Sequence, residues 1–63
     1  MYRIREVRIS KGVTQSFLAV SAKVSQPYIN DLEHNRRGAK PETLKRIADA
    51  LGVSVEELME KAG

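Results

Sequence analysis

Thr14-Gln15-Ser16-Phe17-Leu18-Ala19-Val20-Ser21-Ala22, Lys23-Val24-Ser25, Gln26-Pro27-Tyr28-Ile29-Asn30-Asp31-Leu32-Glu33: residues 14–33 read as two short helices with three residues between them. Thr14 offers a hydroxyl cap to a helix of about eight residues beginning at Gln15, whose inward face is Leu18, Ala19 and Ala22. Ser25 is placed to cap the next helix. Proline in a first turn removes only an amide that lacks a helical acceptor, but it disfavours the α conformation at Gln26, so Gln26 is the alternative cap. Ile29 and Leu32 form the buried stripe of this second rod, with Glu33 alongside. So short a connection makes the two helices cross steeply.

On the N-terminal side, Ile4 and Val7 lie at helical spacing and Arg8 completes the stripe, which predicts a helix over roughly 2–11 ended by Gly12. On the C-terminal side, Asn35 to Lys40 lacks periodicity and reads as a loop. Pro41-Glu42 then opens a helix whose apolar residues Leu44, Ile47, Ala48 and Leu51 fall on one face, and Gly52 stops it. Ser54-Val55-Glu56-Glu57 matches a Ser-x-x-Glu capping box and starts a fifth helix with Leu58 and Met59 as apolar contacts. The tail Lys61-Ala62-Gly63 is expected to fray. No strand signal, internal repeat or low-complexity run is visible, so the expected architecture is all-α, five short helices around one core, with residues 1–63 as a single domain.

Sixty-three residues allow one modest core. The absence of cysteine excludes disulfides and thiolate metal sites and fits a reducing compartment. No apolar run approaches the roughly 18 residues of a membrane span, and charge interrupts the N-terminal apolar residues, unlike a signal peptide. A cytoplasmic, nucleoid-associated protein is expected. The net charge of +3 is unevenly spread: residues 1–40 hold eight Lys/Arg against three acids, whereas residues 41–63 hold three bases against five acids. A basic face of this kind suits a polyanion, because neutralising phosphates releases condensed counterions, although solvated surface charge is the plainer alternative.

Two helices joined by a three-residue turn have the geometry of a DNA-binding helix-turn-helix, in which the first crosses the phosphate backbone and the second sets its N-terminal residues against base edges in the major groove. A wider pattern surrounds them. Thr14-Gln15, Leu18-Ala19, Val24-Ser25, Ile29, Glu33, Asn35-Arg36-Arg37-Gly38, Glu42-Thr43-Leu44, Ile47-Ala48, Ala50-Leu51-Gly52-Val53-Ser54 and Glu57-Leu58 together resemble the Cro/CI repressor family, also called XRE-type or lambda-repressor-like. The resemblance covers nearly the whole chain.

What the resemblance implies transfers residue by residue. Gln15 matches a phosphate-clamping position, and Thr14 and Ser25 at the two helix starts are further phosphate contacts. Gln26, Pro27 and Asp31 match positions facing base edges, with Tyr28 and Asn30 beside them. Gln26 suits a bidentate pair with adenine, Asn30 likewise if it reaches, and the Pro27 ring suits a thymine methyl. Asp31 either accepts from a cytosine amino group, repels phosphates, or orients Gln26 or a neighbouring arginine. Arg36, Arg37 and Lys40 occupy the loop where the family presents phosphate-anchoring groups, and Gly38 is expected to keep that loop pliant.

Arg8 and Glu33 carry opposite charges on the apolar stripes of their helices, and a buried charge persists only when paired. They are expected to meet, as matching family positions do, and to act as scaffold. Two residues depart from the family pattern. The usual turn glycine is Lys23, which must then tolerate a left-handed conformation at about 1 kcal/mol. Phe17 stands where the family is more often polar; a lone phenylalanine is more often core than contact patch, so it is expected to pad the core.

His34 stands alone, without a second histidine or a cysteine, so nucleophile-base pairs and transition-metal sites are not expected. It is read as a surface residue at a helix C-terminus. Glu56, Glu57 and Glu60 read as a solvated face, and no glycine-rich phosphate loop is present. The expected function is non-enzymatic, without metal, cofactor or small-molecule substrate: a transcriptional regulator, specifically a repressor, binding double-stranded DNA as a homodimer on a palindromic operator. Val53, Val55, Leu58 and Met59 are expected to extend the dimer surface. Antitoxins and restriction-modification controllers are alternative hosts for the same module. A helical protein-interaction module that reads no DNA is the alternative from another class.

Overall fold

The computed structural model describes residues 2–59. Five helices follow in order: α1 Ile4–Ser10, α2 Gln15–Ala22, α3 Gln26–Glu33, α4 Pro41–Leu51 and α5 Val55–Leu58. Hydroxyl caps start three of them. Thr14 Oγ1 accepts from the Phe17 amide at 3.0 Å, Ser25 Oγ from the Tyr28 amide at 3.2 Å, and Ser54 Oγ from the Glu57 amide at 3.3 Å. Ser25 is therefore the cap of α3, and Gln26 is its first helical residue.

The terminations depend on left-handed residues. Gly52 ends α4 at φ 71°, and Gly12 follows α1 at φ 68°. Lys23 ends α2 at φ 60°, ψ 44°, the conformation that a missing turn glycine demands. Hydrogen bonds hold it there: the Lys23 and Val24 amides donate to Val20 and Ala19 carbonyls at 3.2 and 3.0 Å. The Ala22 carbonyl, left without a helical donor, accepts from Arg46 Nε of α4 at 3.0 Å.

Leu18, Ala19 and Ala22 of α2, Ile29 and Leu32 of α3, and Leu44, Ile47, Ala48 and Leu51 of α4 are all buried, joined by Ile4 and Leu58. Each fully buried large side chain contributes about 2 kcal/mol of transfer free energy, offset by the entropy of ordering a short chain. Thr43 is buried beside them, a polar residue that periodicity does not reveal.

Some expectations require correction. The first helix begins at Ile4 rather than residue 2, because the preceding backbone pairs elsewhere: Tyr2 bridges Met59 in antiparallel fashion and the Arg3 amide donates to the Leu58 carbonyl. Phe17 does not pad the core. It is 58% exposed, since the inward face of α2 is filled by Leu18, Ala19 and Ala22 and the next residue along the helix must turn outward. Leu58 is fully buried, so it cannot belong to an outer dimer surface, whereas Val53 and Val55 are half-buried and Met59 is exposed. The expectations for Glu60 and for residues 61–63 lie outside the described residues.

Candidate nucleic-acid interface

The polar side of α3 projects from the body because Ile29 and Leu32 are consumed by the core. Gln26 and Pro27 are exposed; Tyr28, Asn30 and Asp31 are half-buried along the same helix. Gln15, at the start of α2, lines a shallow open depression together with Gln26, Pro27 and Asn30. This is the shape that opposes two helix N-termini to one surface, and their unpaired amides and dipoles favour an anion there. Thr14 and Ser25 stand exposed at those two starts. Each spends its hydroxyl oxygen as an acceptor in a cap, which leaves the O–H free to donate to a phosphate.

Beneath this surface lies a buried charge. Glu33 has no solvent exposure at its side chain, and Arg8 has 12%. Arg8 Nε donates to Glu33 Oε2 at 2.7 Å and Nη2 to Oε1 at 3.1 Å, a two-pronged grip that ties α1 to α3. The third arm of the guanidinium, Nη1, donates to the Val13 carbonyl at 2.9 Å. Arg8 is thus committed to scaffold. Glu33 also accepts from Gln15 Nε2 at 3.0 Å, and that same nitrogen donates to Asn30 Oδ1 at 3.3 Å. Burial pushes the Glu33 carboxyl upward, but the bonds from Arg8 and Gln15 and the charges of Arg8 and Arg5 outweigh it and hold the group below its ordinary value.

Beyond the C-terminal end of α3, the loop places Arg36 and Arg37 around Asp31. Arg36 Nη1 lies 3.5 Å and Arg37 Nε 3.7 Å from the two carboxylate oxygens, and the Arg37 guanidinium stacks 5.1 Å from the centre of the Tyr28 ring. Of the roles open to Asp31, orienting a neighbouring arginine is the one with a contact among the described residues. All these groups except Tyr28 and Asp31 are exposed, as is Lys40 at the start of α4. The loop is tied to the N-terminal segment: the Tyr2 hydroxyl accepts from the Ala39 amide at 2.9 Å and sits against Gly38. Tyr2 is 37 residues from its partner, and no local sequence signal announces the tie. His34 is exposed after α3, with Nδ1 2.8 Å from the Asn30 carbonyl.

The large apolar side chains exposed elsewhere are Ile9 on α1, Phe17 and Val20 on α2, and Met59 after α5. Among the described residues, no group of three His, Cys, Asp or Glu is arranged to hold a metal ion, and no helix is long and apolar enough to cross a membrane.

Comparison with known proteins places this geometry. The helix-turn-helix family matches residues 4–58. The chain is 38% identical over 58 residues to the HTH-type transcriptional regulator DdrOP3 of Deinococcus deserti, covering 92% of this chain and 45% of that protein. It is 39% identical over 62 residues to the HTH-type transcriptional repressor RghR of Bacillus subtilis, covering 97% of this chain and 46% of that one. Among solved structures, the restriction-modification controller protein C.AhdI of Aeromonas hydrophila superposes with a TM-score of 0.87 at 30% identity, covering 90% of this chain and 86% of that chain. The chain spans about half the length of the first two relatives.

Proposed function

The chain belongs to the helix-turn-helix family of the Cro/CI, or XRE, type, and from that premise we propose that it is a sequence-specific regulator of transcription, acting as a repressor on double-stranded DNA. One observation carries the reading: α3 turns its polar side outward between two capped helix starts and an arginine loop, so a single surface offers base-reading and phosphate-holding groups side by side. In this reading α3 enters the major groove, Gln26, Pro27, Tyr28, Asn30 and Asp31 face the bases, and Thr14, Ser25, Arg36, Arg37, Lys40 and the main-chain amide of Gln15 hold phosphates.

The free-state contacts refine these roles. No hydrogen bond among the described residues engages the Gln26 side chain, so both halves of its amide are available for a bidentate pair with adenine. Arg36 and Arg37 exchange Asp31 for phosphate oxygens on binding, which releases Asp31 to accept from a cytosine amino group or to remain as the arginines' guide. The ion-pair distances of 3.5 and 3.7 Å make that exchange inexpensive.

Residues 1–63 form the DNA-binding unit and act as a homodimer on half-sites about one helical turn apart. Val53, Val55 and Met59 supply the contact between copies, without Leu58. The protein works in the cytoplasm, at the nucleoid. A restriction-modification controller is the alternative host for the module, favoured by the likeness to C.AhdI. Titration with duplex DNA at increasing salt tests the function. A log-log slope of several units supports it, since each phosphate neutralised contributes about 0.9 to the slope, and no binding at low salt refutes it.

A further inference from the structure

Glu33 dictates which way two amides face. Its carboxylate is buried, carries negative charge, and can only accept, so the end of Gln15 that meets it at 3.0 Å must be the –NH2. One proton of that amino group goes to Glu33 and the other points at Asn30, 3.3 Å away. Asn30 therefore turns its carbonyl oxygen inward. Rotating its amide by half a turn would set amino against amino and forfeit the bond. Nδ2 is left as the polar side-chain atom of Asn30 that has no hydrogen-bond partner among the described residues, and Asn30 lines the depression shared with Gln26 and Pro27.

The geometry points to Asn30 as a donor-only reader: it recognises a base edge that presents two acceptors side by side, as guanine does with N7 and O6, and Gln15 is the positioning residue that enforces this polarity. This deepens the proposed DNA-binding function and rests on it. The bidentate adenine pair is lost because it needs the Asn30 oxygen, already held by Gln15, to accept from the N6 amino group, which leaves adenine a single bond at N7 against the two acceptors of guanine. Gln26, whose amide is unconstrained, has no such restriction. Two chemically similar amides four residues apart on α3 thus acquire different preferences from the scaffold behind them.

The test is selection of bound sites from a random duplex pool with the 63-residue chain, repeated for three variants. Asn30→Ala locates the base pair concerned, as the position whose preference disappears. There the wild type is expected to favour guanine over adenine by about tenfold, the discrimination that one well-placed base contact supplies. Asn30→Asp keeps an oxygen for Gln15 and replaces the outward amino group by an acceptor, so that position is expected to shift to cytosine or adenine while the others hold. Gln15→Met releases the Asn30 amide, and the preference for guanine over adenine is expected to vanish. A purely structural role for Gln15 would weaken binding without changing the base profile. Adenine preferred by the wild type, no position responding to Asn30→Ala, or a profile unmoved by Asn30→Asp or by Gln15→Met would overturn the assignment while leaving DNA binding intact. Retention of no duplex at all would overturn the proposed function, and this inference with it.

Discussion

Arg8 and Glu33, 25 residues apart in the chain, share two hydrogen bonds of 2.7 and 3.1 Å across the α1–α3 contact, with the Glu33 side chain wholly shielded from solvent. Behind the exposed face of α3 there is thus a fixed anion. Its other partner, Gln15, belongs to the surface assigned to DNA, so the scaffold and the reading face are parts of one network.

Removing either member leaves an uncompensated charge indoors, which costs about 3 kcal/mol or more. Glu33→Ala and Arg8→Ala are each expected to lower the thermal unfolding midpoint by more than about 10 °C in a domain of this size. Circular dichroism melting measures this; a fall of only a degree or two for both variants would deny the pair its structural role.

The same carboxylate gives stability a pH dependence. Its pKa is depressed in the folded state, so its contribution is complete above the unfolded glutamate value, about 4.3, and is lost as pH falls through the lower folded value. Wild-type melting midpoints are expected to drop more steeply below about pH 5 than those of Glu33→Gln, which has no proton to take up. Parallel curves for the two proteins would show that another group governs the acid limb.

Neighbouring residues on α2 provide a contrast in burial. Leu18 is fully buried and Phe17 is 58% exposed, so Leu18→Ala is expected to cost about 2–5 kcal/mol in chemical denaturation and Phe17→Ala less than about 1 kcal/mol. Comparable losses at both positions would place Phe17 against the core after all.

Reading and anchoring separate by the kind of defect each substitution produces. Gln26→Ala is expected to reduce discrimination between operator and random duplex by about 1–3 kcal/mol, whereas Arg36→Ala weakens binding to both alike and lowers the salt slope by about one phosphate. Filter binding or fluorescence anisotropy at several salt concentrations measures both quantities, and the opposite pattern would exchange the two roles.

Much of this was legible from local chemistry. Thr14, Ser25 and Ser54 cap helices through amides three residues away, so their role is written within four residues of sequence. The face of α4 follows from helical period alone, and Arg8 and Glu33 match because a charge on an apolar stripe demands a partner. What stayed hidden depends on approach between distant segments. The hydroxyl of Tyr2 under the Ala39 amide, the guanidinium of Arg46 on the Ala22 carbonyl, and the Tyr2–Met59 bridge that delays α1 carry no periodic signature. Phe17 misled for a related reason: hydrophobicity marks it for burial, yet its angular position on α2 puts it outside. The family resemblance makes Gln15 a phosphate clamp, and only the fold reveals that both its amino protons are engaged by Glu33 and Asn30 in the free protein.

α3 and its flanks are proposed to form the surface that meets duplex DNA. The most direct test of this is a nitrogen-15 amide NMR titration of the 63-residue chain with a selected duplex at low salt. The largest shifts are expected on residues 14–16, 25–31 and 36–40, while the exposed side of α4 and the Ile9, Phe17 and Val20 positions change little. Shifts concentrated on α4 or α5, with the amides of Gln26 to Asp31 unmoved, would contradict it.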